Sequence, residues 1–583
     1  MKKYIYIIII AISFGACNED SFLRETPLDF MSGNNAYTTS ADFDLATNEL
    51  YYLTRYEFYD NQDRSVMDYV FGTDLVWNGS SGGALPNLAA NYGASSSTAQ
   101  AHWDKLYLLI AQANTVLTRL PKSSVPDAGR VLFTAKAKFF RGLAYRTLAY
   151  LYGGVPLQLE EVTGPKTNYV RATREQTLAQ AVDDVKFAAE NLANINKVKD
   201  GEVNSAAAYH LLAELYLATG KYQEAADAAT KVINNECGPV ALMKERFGTR
   251  KTETPGDVYW DLYRTNNQNR ASGNTEGLFV IQMEPGVTGG GTDLTSLWSS
   301  PGSYLLERHT APQTSLFKIY KDGVTYTPFT WPIGDYTGGR GIGSFVPTHL
   351  YDKEVWGGYG SVEFKRDIRN ANHNFVRKFA YNNAAFKKAY GSIFGDTIDI
   401  DNPPAGCTFL TGENSQGTFP GRYLLCYQTK CTNPYDHPSA LYADKATYAL
   451  KSAAGGTYTD QYMFRLAETY LLRAEAYLDL NQKDKAAADI NEVRGRAKAI
   501  LIDASDVTLD YILDERIREL GIEEKRRLTL ARLGADVFYN RVTRYNAYYS
   551  LDVPFSKNYT VFAIPQSAID ANKDAKLEQN TGY

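Results

Sequence analysis

A short motif that occurs twice in the chain is the feature that most constrains its fold. Residues 213–217 read Ala-Glu-Leu-Tyr-Leu, and residues 474–478 read Ala-Glu-Ala-Tyr-Leu. At the same offset, Gly220 matches Asn481. Glycine and asparagine are the residues that best tolerate the left-handed backbone conformation found where one helix ends and the next begins. The repeat therefore predicts two helical hairpins of one kind, far apart in the sequence.

Paired alanines follow each of these turns at the same spacing. They are Ala225-Ala226 after the first turn and Ala486-Ala487 after the second. Small side chains let the second helix of a hairpin pack close to the first. This arrangement is the pattern of a tetratricopeptide hairpin, which buries its apolar face only by stacking on neighbouring hairpins. We therefore expect a stack of such hairpins that is interrupted by a large insertion.

The period of the apolar residues separates two helical parts of the chain from a middle part without a helical pattern. Residues 257–456 are rich in Gly, Pro, Tyr and Trp, with one predicted strand over residues 277–283. Long irregular stretches within a folded chain usually carry functional surfaces. The expected fold class is mainly α, with tetratricopeptide-like hairpins and a large loop-rich insertion that carries the ligand site. Helices are predicted over residues 39–56, 103–120, 133–152, 173–192, 205–219, 222–233, 460–480, 483–500 and 509–533.

The N-terminus has the pattern of a lipoprotein export signal. Lys2 and Lys3 precede an apolar run over residues 4–12, which is shorter than the roughly 20 residues that span a bilayer. Residues 14–17 read Phe-Gly-Ala-Cys and resemble a bacterial lipobox, although an aliphatic residue is usual in place of the Phe. We expect residues 1–16 to be removed and Cys17 to be lipidated.

An acidic pair follows the expected lipidation site. Glu19 and Asp20 resemble the signal by which Bacteroidetes move lipoproteins to the outer face of the outer membrane. The stretch up to residue 38 has little apolar periodicity and is interpreted as a tether. The expected location is the cell surface, with a lipid anchor in the outer membrane.

Composition argues against several classes of partner and cofactor. Without residues 1–16, which hold two lysines, the chain has 59 basic and 66 acidic residues, a net charge of −7. It has no run of more than three Lys or Arg, so we expect no nucleic-acid partner. The six histidines are scattered without metal-ligand spacing, and we predict neither a metal nor another cofactor. Asp396, Asp399 and Asp401 lack EF-hand spacing and are interpreted as an acidic turn.

The cysteines and a serine motif leave chemical questions of their own. Cys426 and Cys431 are close enough in sequence to form a small disulfide, and the pairing of the remaining thiols, Cys237 and Cys407, stays open. Residues 79–83 formally fit the Gly-x-Ser-x-Gly nucleophile pattern, but the sequence predicts no strand before them and no helix after them. We therefore predict no catalytic residue, and a protein that is not an enzyme.

Several motifs, in order along nearly the whole chain, resemble the SusD/RagB family of Bacteroidetes outer-membrane lipoproteins. Residues 135–157 are similar to the family helix that ends in Tyr-Gly-Gly-Val-Pro, and residues 201–233 are similar to its central repeat. Residues 464–476 resemble its Arg-x-x-Glu and Ala-Glu-Ala helix. Further similar segments are Asp367-Ile368-Arg369, residues 513–527 with Glu-Arg-x-x-Glu-Leu, and residues 563–566 and 579–583 near the end.

The resemblance implies a fold, a partner and a function. Family members have four tetratricopeptide-like hairpins, act as lids on a SusC-like TonB-dependent transporter, and perform no chemistry. We therefore expect binding of an oligosaccharide or polysaccharide for delivery to such a transporter. Peptide capture of the RagB type is the alternative, and a surface glycoside hydrolase is a third hypothesis. The expected organisation is a signal peptide (1–16), a lipidated tether (17–38), an N-terminal helical region (39–256), a loop-rich ligand-binding region (257–456) and a C-terminal helical region (457–583).

Candidate ligand residues follow from the chemistry of sugars, which present an apolar C–H face and a ring of hydroxyls. A site for them needs exposed aromatic faces and a few planar hydrogen-bonding groups. The resemblance implies that part of the site lies on the loop before the second long helix. The candidates there are Asp74, Trp77, Asn78 and Tyr92.

The insertion adds four aromatic candidates. Trp298, Tyr304, Trp331 and Trp356 stand in contexts rich in Gly, Ser or Pro, as expected for loops. Burial in the core is the alternative for each of them, because Trp is usually substantially buried. We expect at least one of Trp77, Trp298 and Trp331 to stack on a ligand.

Overall fold

The computed structural model describes residues 36–59, 67–79, 88–291, 293–295, 303–410, 421–547 and 554–583. The fold is mainly α-helical, which confirms the predicted fold class. Within the described residues, no helix combines the length and the apolarity that crossing a membrane requires. The helices are α1 Ser40–Phe58, α2 Leu88–Tyr92, α3 Ser97–Arg119, α4 Asp127–Tyr152, α5 Arg174–Asn191, α6 Ser205–Ala218, α7 Tyr222–Ile233, α8 Val258–Asp261, α9 Leu306–Thr310, α10 His349–Asp352, α11 Val362–Arg366, α12 Ala384–Phe394, α13 Leu466–Asp479, α14 Lys483–Arg496, α15 Leu509–Glu519, α16 Arg526–Arg532, α17 Ala535–Tyr545 and α18 Gln566–Ala571.

The strands are short and form small antiparallel sheets. β1 pairs with β5, β2 with β13, β6 with β10, β7 with β8 and β11 with β12, while β3 lies between β4 and β9. Sheets of two or three strands cannot form a layer of their own, so they lie as ribbons on the helices. The strands are β1 Val76–Asn78, β2 Gly277–Ile281, β3 Lys318–Lys321, β4 Val324–Tyr326, β5 Phe345–Pro347, β6 Phe375–Val376, β7 Lys378–Ala380, β8 Thr397–Asp399, β9 Thr408–Leu410, β10 Tyr427–Gln428, β11 Tyr442–Asp444, β12 Ala449–Leu450 and β13 Gln461–Arg465.

Packed helix pairs build the core. α1 packs with α3, α4 with α5, α6 with α7, and α13 with α14. The two hairpins that carry the sequence repeat also lie against each other, because Leu217, Ala225 and Ala226 share a buried cluster with Leu472 and Ala476. The small alanines let α7 approach α13. The predicted stacking of the two repeat hairpins is therefore confirmed, and the insertion leaves the stack between α7 and α13.

The ends of these helices have the capping residues that the sequence predicts. Gly220, between α6 and α7, has a φ of +71°, and Asn481, between α13 and α14, has a φ of +57°. At the start of α1, the Thr39 hydroxyl accepts a hydrogen bond from the backbone N–H of Asp42, and the Asp42 carboxylate accepts one from the backbone N–H of Thr39. This reciprocal pair is a capping box.

Two predicted helices in the C-terminal part have the wrong bounds. Residues 461–465 form β13, which pairs with β2 before α13 begins at Leu466. The helix predicted over residues 509–533 is interrupted, because Gly521 takes a left-handed φ of +52° between α15 and α16. A Cβ on Gly521 would lie 2.7 Å from the Tyr351 hydroxyl, so a larger residue does not fit. Neither feature has a local periodic signal.

Buried ion pairs fix the insertion to the C-terminal helices. Arg369 of the insertion pairs with Asp367 at 2.6 Å and with Glu515 and Glu519 of α15 at 2.7 and 3.0 Å. Arg465, at the end of β13, pairs with Glu519 at 2.6 Å. All five side chains are buried. Because a buried charge without a partner is very costly, this cluster determines how the insertion is seated on α15.

Candidate ligand-binding site

A hairpin over residues 331–341 presents aromatic side chains at the surface of the insertion. A β-bridge between Ile333 and Gly339 joins its two arms, and the indole N–H of Trp331 donates a hydrogen bond to the Gly341 carbonyl at 3.0 Å. Trp331 and Tyr336 are half-buried, so each keeps part of its ring accessible. The polar atom of Trp331 is thus used inside the protein, and the ring is the part left for a ligand.

Two further tyrosines complete an aromatic cluster at the tip of this hairpin. The Tyr435 ring lies 5.4 Å from Tyr336 and 4.8 Å from Tyr448, in both cases edge to face. Tyr435 is 42% exposed and Tyr448 is half-buried. We call Trp331, Tyr336, Tyr435 and Tyr448 together the aromatic platform. By the rise of an extended strand, the four residues from Trp331 to the tip span roughly 13 Å, enough for a ligand larger than a single ring.

The two tyrosines contributed from outside the hairpin have a strained backbone. Tyr435 has a φ of +63° and Tyr448 a φ of +57°. Bulky residues rarely take this conformation, which costs on the order of 1–3 kcal/mol, and such outliers concentrate at functional sites. Gly334 holds both of them, because its carbonyl accepts the N–H of Tyr435 at 2.7 Å and its N–H donates to the Tyr448 carbonyl at 2.9 Å. A Cβ on Gly334 would lie 2.8 Å from His437 Nδ1, so the position requires glycine.

Ionisable side chains beneath the hairpin support its shape. His437 Nε2 lies 2.9 Å from a Glu307 carboxylate oxygen, and both side chains are buried. The Asp335 carboxylate accepts the backbone N–H of Thr337 at 2.7 Å, and burial raises the pKa of Asp335. Burial and, secondarily, Asp335 raise the pKa of Tyr435 to about 12. Tyr435 therefore keeps its hydroxyl proton at neutral pH and can donate it to a ligand oxygen.

The platform can bind a ligand that has both apolar faces and hydrogen-bonding edges. The Asn382 amide lies beside the hairpin, where its oxygen accepts the backbone N–H of Thr330 at 2.7 Å. Nothing in the geometry of the described residues provides a metal centre, since no group of three or more His, Cys, Asp or Glu side chains is suitably placed. In the acidic turn, Asp401 forms an ion pair with Lys353 at 2.8 Å. These observations define a binding surface.

Asp74, a candidate from the first loop, is part of the core. It is fully buried and forms ion pairs with Arg526 at 2.7 Å and with Arg541 at 2.9 Å. Burial alone would raise the pKa of Asp74, but the two guanidiniums hold it well below its usual range. In this structure the carboxylate is used to join the first loop to the C-terminal helices and is not presented to a ligand.

The other first-loop candidates are also buried. Trp77 and Asn78 lie in β1, opposite residues of β5, and Trp77 is 2% exposed. Tyr92 is buried with the guanidinium of Arg527 at 4.1 Å from its ring centroid. Because both rings are buried, the expectation that this loop presents an aromatic face to a ligand is wrong. The Gly/Ser-rich sequence around Trp77 gave no sign of the pairing with β5, which lies more than 260 residues away in the chain.

The insertion candidates divide into three cases. Tyr304 is buried with its ring 5.2 Å from Tyr59, and Trp356 is 0% exposed with its indole N–H donating to the Tyr351 carbonyl at 2.9 Å. The two glycines after Trp356 therefore do not mark an exposed residue, contrary to expectation. Trp298 lies outside the described residues. Trp331 is the described candidate that reaches the surface.

The disulfide that Cys426 and Cys431 are close enough in sequence to form is absent. Both thiols are free and buried, and Cys426 Sγ lies 3.1 Å from a carboxylate oxygen of Asp352. Burial raises the pKa of Cys431 to about 12, so its thiol stays protonated and unreactive at neutral pH. Cys237 and Cys407 are also free.

Sequence reasoning missed three residues of the platform. Tyr336, Tyr435 and Tyr448 come together only because residues 331–341 meet residues 433–450, about 100 positions further along the chain. A local signal exists for Tyr435, which stands between Pro434 and Asp436 in a turn-forming stretch. In a chain with 43 tyrosines, that signal does not distinguish one from the others.

Another depression, of about 780 Å³, lies between the ends of α15 and α17. The one aromatic residue in its lining is Tyr545, whose ring is approached by the guanidiniums of Arg541 and Arg544 at 4.4 and 4.9 Å. The lining is otherwise largely polar and charged, so this depression offers a single aromatic ring. The aromatic platform is the better candidate site.

Comparison with known proteins agrees with the fold class that the structure defines, a stack of helical hairpins with a loop-rich half. The sequence profile described as "SusD family" matches residues 328–583, and the one described as "Starch-binding associating with outer membrane" matches residues 18–217. The chain belongs to the SusD/RagB family. This confirms the resemblance found in the sequence.

Individual relatives are distant. SusD-like protein P25 of Formosa agariphila is 21% identical over 92% of this chain and 90% of that protein. SusD-like protein P2 of the same organism is 24% identical over 50% of this chain, which spans about half (55%) of that protein's length. Starch-binding protein SusD of Bacteroides thetaiotaomicron is 35% identical over 23% of this chain and 24% of that protein. The solved structure of a laminarin binding SusD-like protein has a TM-score of 0.63 at 20% identity and covers 94% of this chain and 100% of its own, which shows a shared fold.

Proposed function

We propose that this chain is a surface glycan-binding protein that holds an oligosaccharide or polysaccharide on the aromatic platform. The observation that carries the proposal is a set of four partly exposed aromatic rings on the loop-rich half, two of them held in a strained backbone conformation. Aromatic faces bind the apolar C–H faces of sugar rings, and nearby hydroxyl and amide groups bind the sugar hydroxyls. The starch-binding and laminarin-binding relatives support this choice of ligand.

The protein acts by binding and not by catalysis. A glycosidase needs two carboxyl groups on either side of the bond that it cleaves. Asp335, the carboxylate beside Tyr336 in the sequence, is held by Thr337 and is not free to act as an acid or base above the platform. Capture without cleavage fits a protein that delivers its ligand to a SusC-like TonB-dependent transporter.

Affinity electrophoresis through gels that contain single polysaccharides tests glycan binding. The soluble domain from Asn18 onward is compared with Trp331→Ala and Tyr435→Asn, the latter chosen because asparagine tolerates the left-handed backbone. Tyr320→Ala, which removes an exposed tyrosine on β3, is the matched control. We expect retardation of the wild type and the control by the same glycan, with roughly tenfold weaker binding in each platform variant.

Two other results would contradict the proposal. Equal retardation of all four proteins would place the glycan elsewhere. Release of reducing sugar from the retained glycan would show an enzyme. A library of short peptides, titrated in parallel, tests the RagB-type alternative, since tight peptide binding without any glycan retention would favour peptide capture.

The location is proposed to be the outer face of the outer membrane, through lipidation at Cys17. Labelling cells with a radioactive fatty acid should mark the wild type but not Cys17→Ala. The wild type should also be digested by protease added to intact cells, and a TonB-dependent transporter should co-purify with it. A labelled Cys17→Ala variant would place the lipid on another residue, and protease resistance in intact cells would place the chain inside.

A further inference from the structure

The guanidinium of Arg340 lies at the base of the hairpin that carries the platform. Its guanidinium carbon is 5.5 Å from the centroid of the Trp331 ring. The backbone around it is fixed, because the N–H of Arg340 donates to a Glu307 carboxylate oxygen at 3.4 Å and Gly339 bonds to Ile333 at 3.0 Å. Arg340 is therefore presented beside a platform ring from a rigid backbone.

The guanidinium of Arg340 has no hydrogen-bond acceptor among the described residues. No hydrogen bond or ion pair joins its guanidinium to a described residue, and its Nε and Nη1 atoms are shielded from solvent. Burial lowers the pKa of Arg340, but an arginine remains charged at neutral pH. A shielded cationic donor without an acceptor is costly, so an acceptor supplied by a ligand would be favourable here.

The carboxylate that acts on Arg340 is already engaged. Glu307 contributes a favourable charge to Arg340, yet its two oxygens lie 2.9 and 3.0 Å from Nε2 of His437. A Cβ on Gly339 would lie 2.5 Å from Glu307 and 2.9 Å from His437, which shows how closely the hairpin covers this pair. Glu307 therefore supports the hairpin from below and does not neutralise the guanidinium above it.

A second arginine without a carboxylate partner lies beneath the tip of the same hairpin. Arg264 is buried with its guanidinium carbon 3.7 Å from the centroid of Trp260, whose ring lies 5.8 Å from Tyr336. Its Nε and Nη2 donate to backbone carbonyls, and Nη1 has no partner among the described residues. Burial, together with the charge of Arg250, lowers the pKa of Arg264 to about 9.

The acidic side chains near the tip of the hairpin lie within ion-pair distance of a third arginine. Arg250 pairs with Glu253 at 2.5 Å and lies 4.0 Å from Asp436. Together these three side chains carry one positive and two negative charges, and the charges of Asp436 and Glu253 act on Arg264 without forming an ion pair with it. Both ends of the hairpin thus carry a guanidinium whose charge lacks a direct counter-ion in the described protein.

We propose that the glycan bound by the platform carries anionic groups, carboxylate or sulfate, and that Arg340 binds one of them directly. This inference rests on the proposed function and names the class of its ligand. An anionic oxygen at Nη2, which is not among the shielded atoms, would supply the counter-charge that the protein does not, through the charge-assisted hydrogen bond that arginine forms with carboxylate and sulfate-like groups. Trp331 would hold the apolar face of the same sugar unit.

Matched pairs of polysaccharides test this inference. The wild-type soluble domain is measured by affinity electrophoresis and titration calorimetry against polygalacturonate and its carboxyl-reduced form, and against a sulfated galactan and its desulfated form. The variants are Arg340→Gln, Arg340→Lys, and Arg544→Gln as a control with the same change of charge at a site 67% exposed on α17. Thermal unfolding of each variant checks that it is folded.

We expect the wild type to bind the acidic member of a pair at least roughly tenfold more tightly than the neutral member, with the preference reduced by added salt. Arg340→Gln should lose this preference, Arg340→Lys should retain part of it, and Arg544→Gln should retain all of it. Equal binding of both members of each pair would overturn the inference while leaving glycan binding intact. A preference that survives in Arg340→Gln would overturn the role of Arg340. Failure to bind any polysaccharide would contradict the proposed function itself.

Discussion

Asp74 links electrostatics to folding at the scale of one residue. Its carboxylate is buried between Arg526 and Arg541, and removing one partner of such a cluster leaves uncompensated buried charge. We predict that Asp74→Asn lowers the free energy of unfolding by about 3–5 kcal/mol at neutral pH. Urea denaturation followed by circular dichroism measures this. A loss below about 1 kcal/mol would show that the two arginines find other partners.

The same residue predicts a dependence on pH. The folded-state pKa of Asp74 is depressed below the value of about 3.9 typical of an unfolded chain, so its contribution is present above that pH and is lost as the pH falls further. The free energy of unfolding of the wild type should therefore fall below about pH 4 more steeply than that of Asp74→Asn. Parallel slopes for the two proteins would contradict this assignment.

Trp331 and Trp356 test the difference between a platform ring and a core ring. Trp356 is 0% exposed, so Trp356→Ala should cost about 3–5 kcal/mol of stability by leaving a cavity. Trp331 is half-buried at the surface, so its substitution by Ala should weaken ligand binding at a smaller cost in stability. Thermal unfolding and affinity electrophoresis of both variants separate the two effects. A stability loss as large for Trp331→Ala would assign that ring to the core.

The sequence could not separate these residues because burial is decided by distant partners. Trp77 and Trp356 stand next to polar or glycine-rich stretches, which are typical of loops. Strand β5 covers Trp77 in one case, and Tyr351 accepts the Trp356 indole N–H in the other. The residue types next to a tryptophan indicate whether the backbone forms a loop, but they do not indicate which residues contact the ring.

At the scale of elements, the turns of the two repeat hairpins allow a clean test of backbone conformation. Gly220 has a φ of +71° and no atom within 4 Å of an added Cβ, so Gly220→Ala changes conformational energy without a clash. We predict a loss of about 1 kcal/mol. Gly495→Ala, inside α14 and equally unobstructed, should instead stabilise by about 0.5–1 kcal/mol.

The outcome at Asn481 completes this comparison. Asn481→Gly should leave stability unchanged or slightly higher, because asparagine and glycine both accept its φ of +57°. Urea denaturation of the three variants provides the measurement. A stabilised Gly220→Ala would show that the turn between α6 and α7 does not need a left-handed residue.

These hairpins were predictable because their signals are local. The capping box at Thr39, the left-handed residues at Gly220 and Asn481, and the apolar period each involve neighbours in sequence. The interruption at Gly521 and the strand β13 were missed because each depends on a distant segment, Tyr351 in one case and β2 in the other. The platform was missed for the same reason.

For the whole molecule, the ion-pair cluster around Glu519 joins the insertion to the helical stack. Glu519 accepts Arg369 from the insertion and Arg465 from β13, and the surrounding arginines outweigh burial in holding its pKa low. We predict that Glu519→Gln lowers the free energy of unfolding by about 3–5 kcal/mol. Glu578→Gln, which removes an exposed partner of Lys576, should change it by less than about 1 kcal/mol.

This cluster also predicts how the molecule unfolds. Because the insertion is held by buried charges of α15, tryptophan fluorescence and circular dichroism should report one common transition in the wild type. In Glu519→Gln both signals should move together to lower urea concentration. Separate transitions in the wild type would show that the insertion and the helical stack unfold independently.

The central claim is that the aromatic platform is the place where a glycan binds. A crystal structure with a retained oligosaccharide tests it most directly. We predict electron density for sugar rings against Trp331 and Tyr435, with a sugar substituent within hydrogen-bonding distance of Arg340. An oligosaccharide bound at another surface, with these side chains free of ligand, would contradict the account.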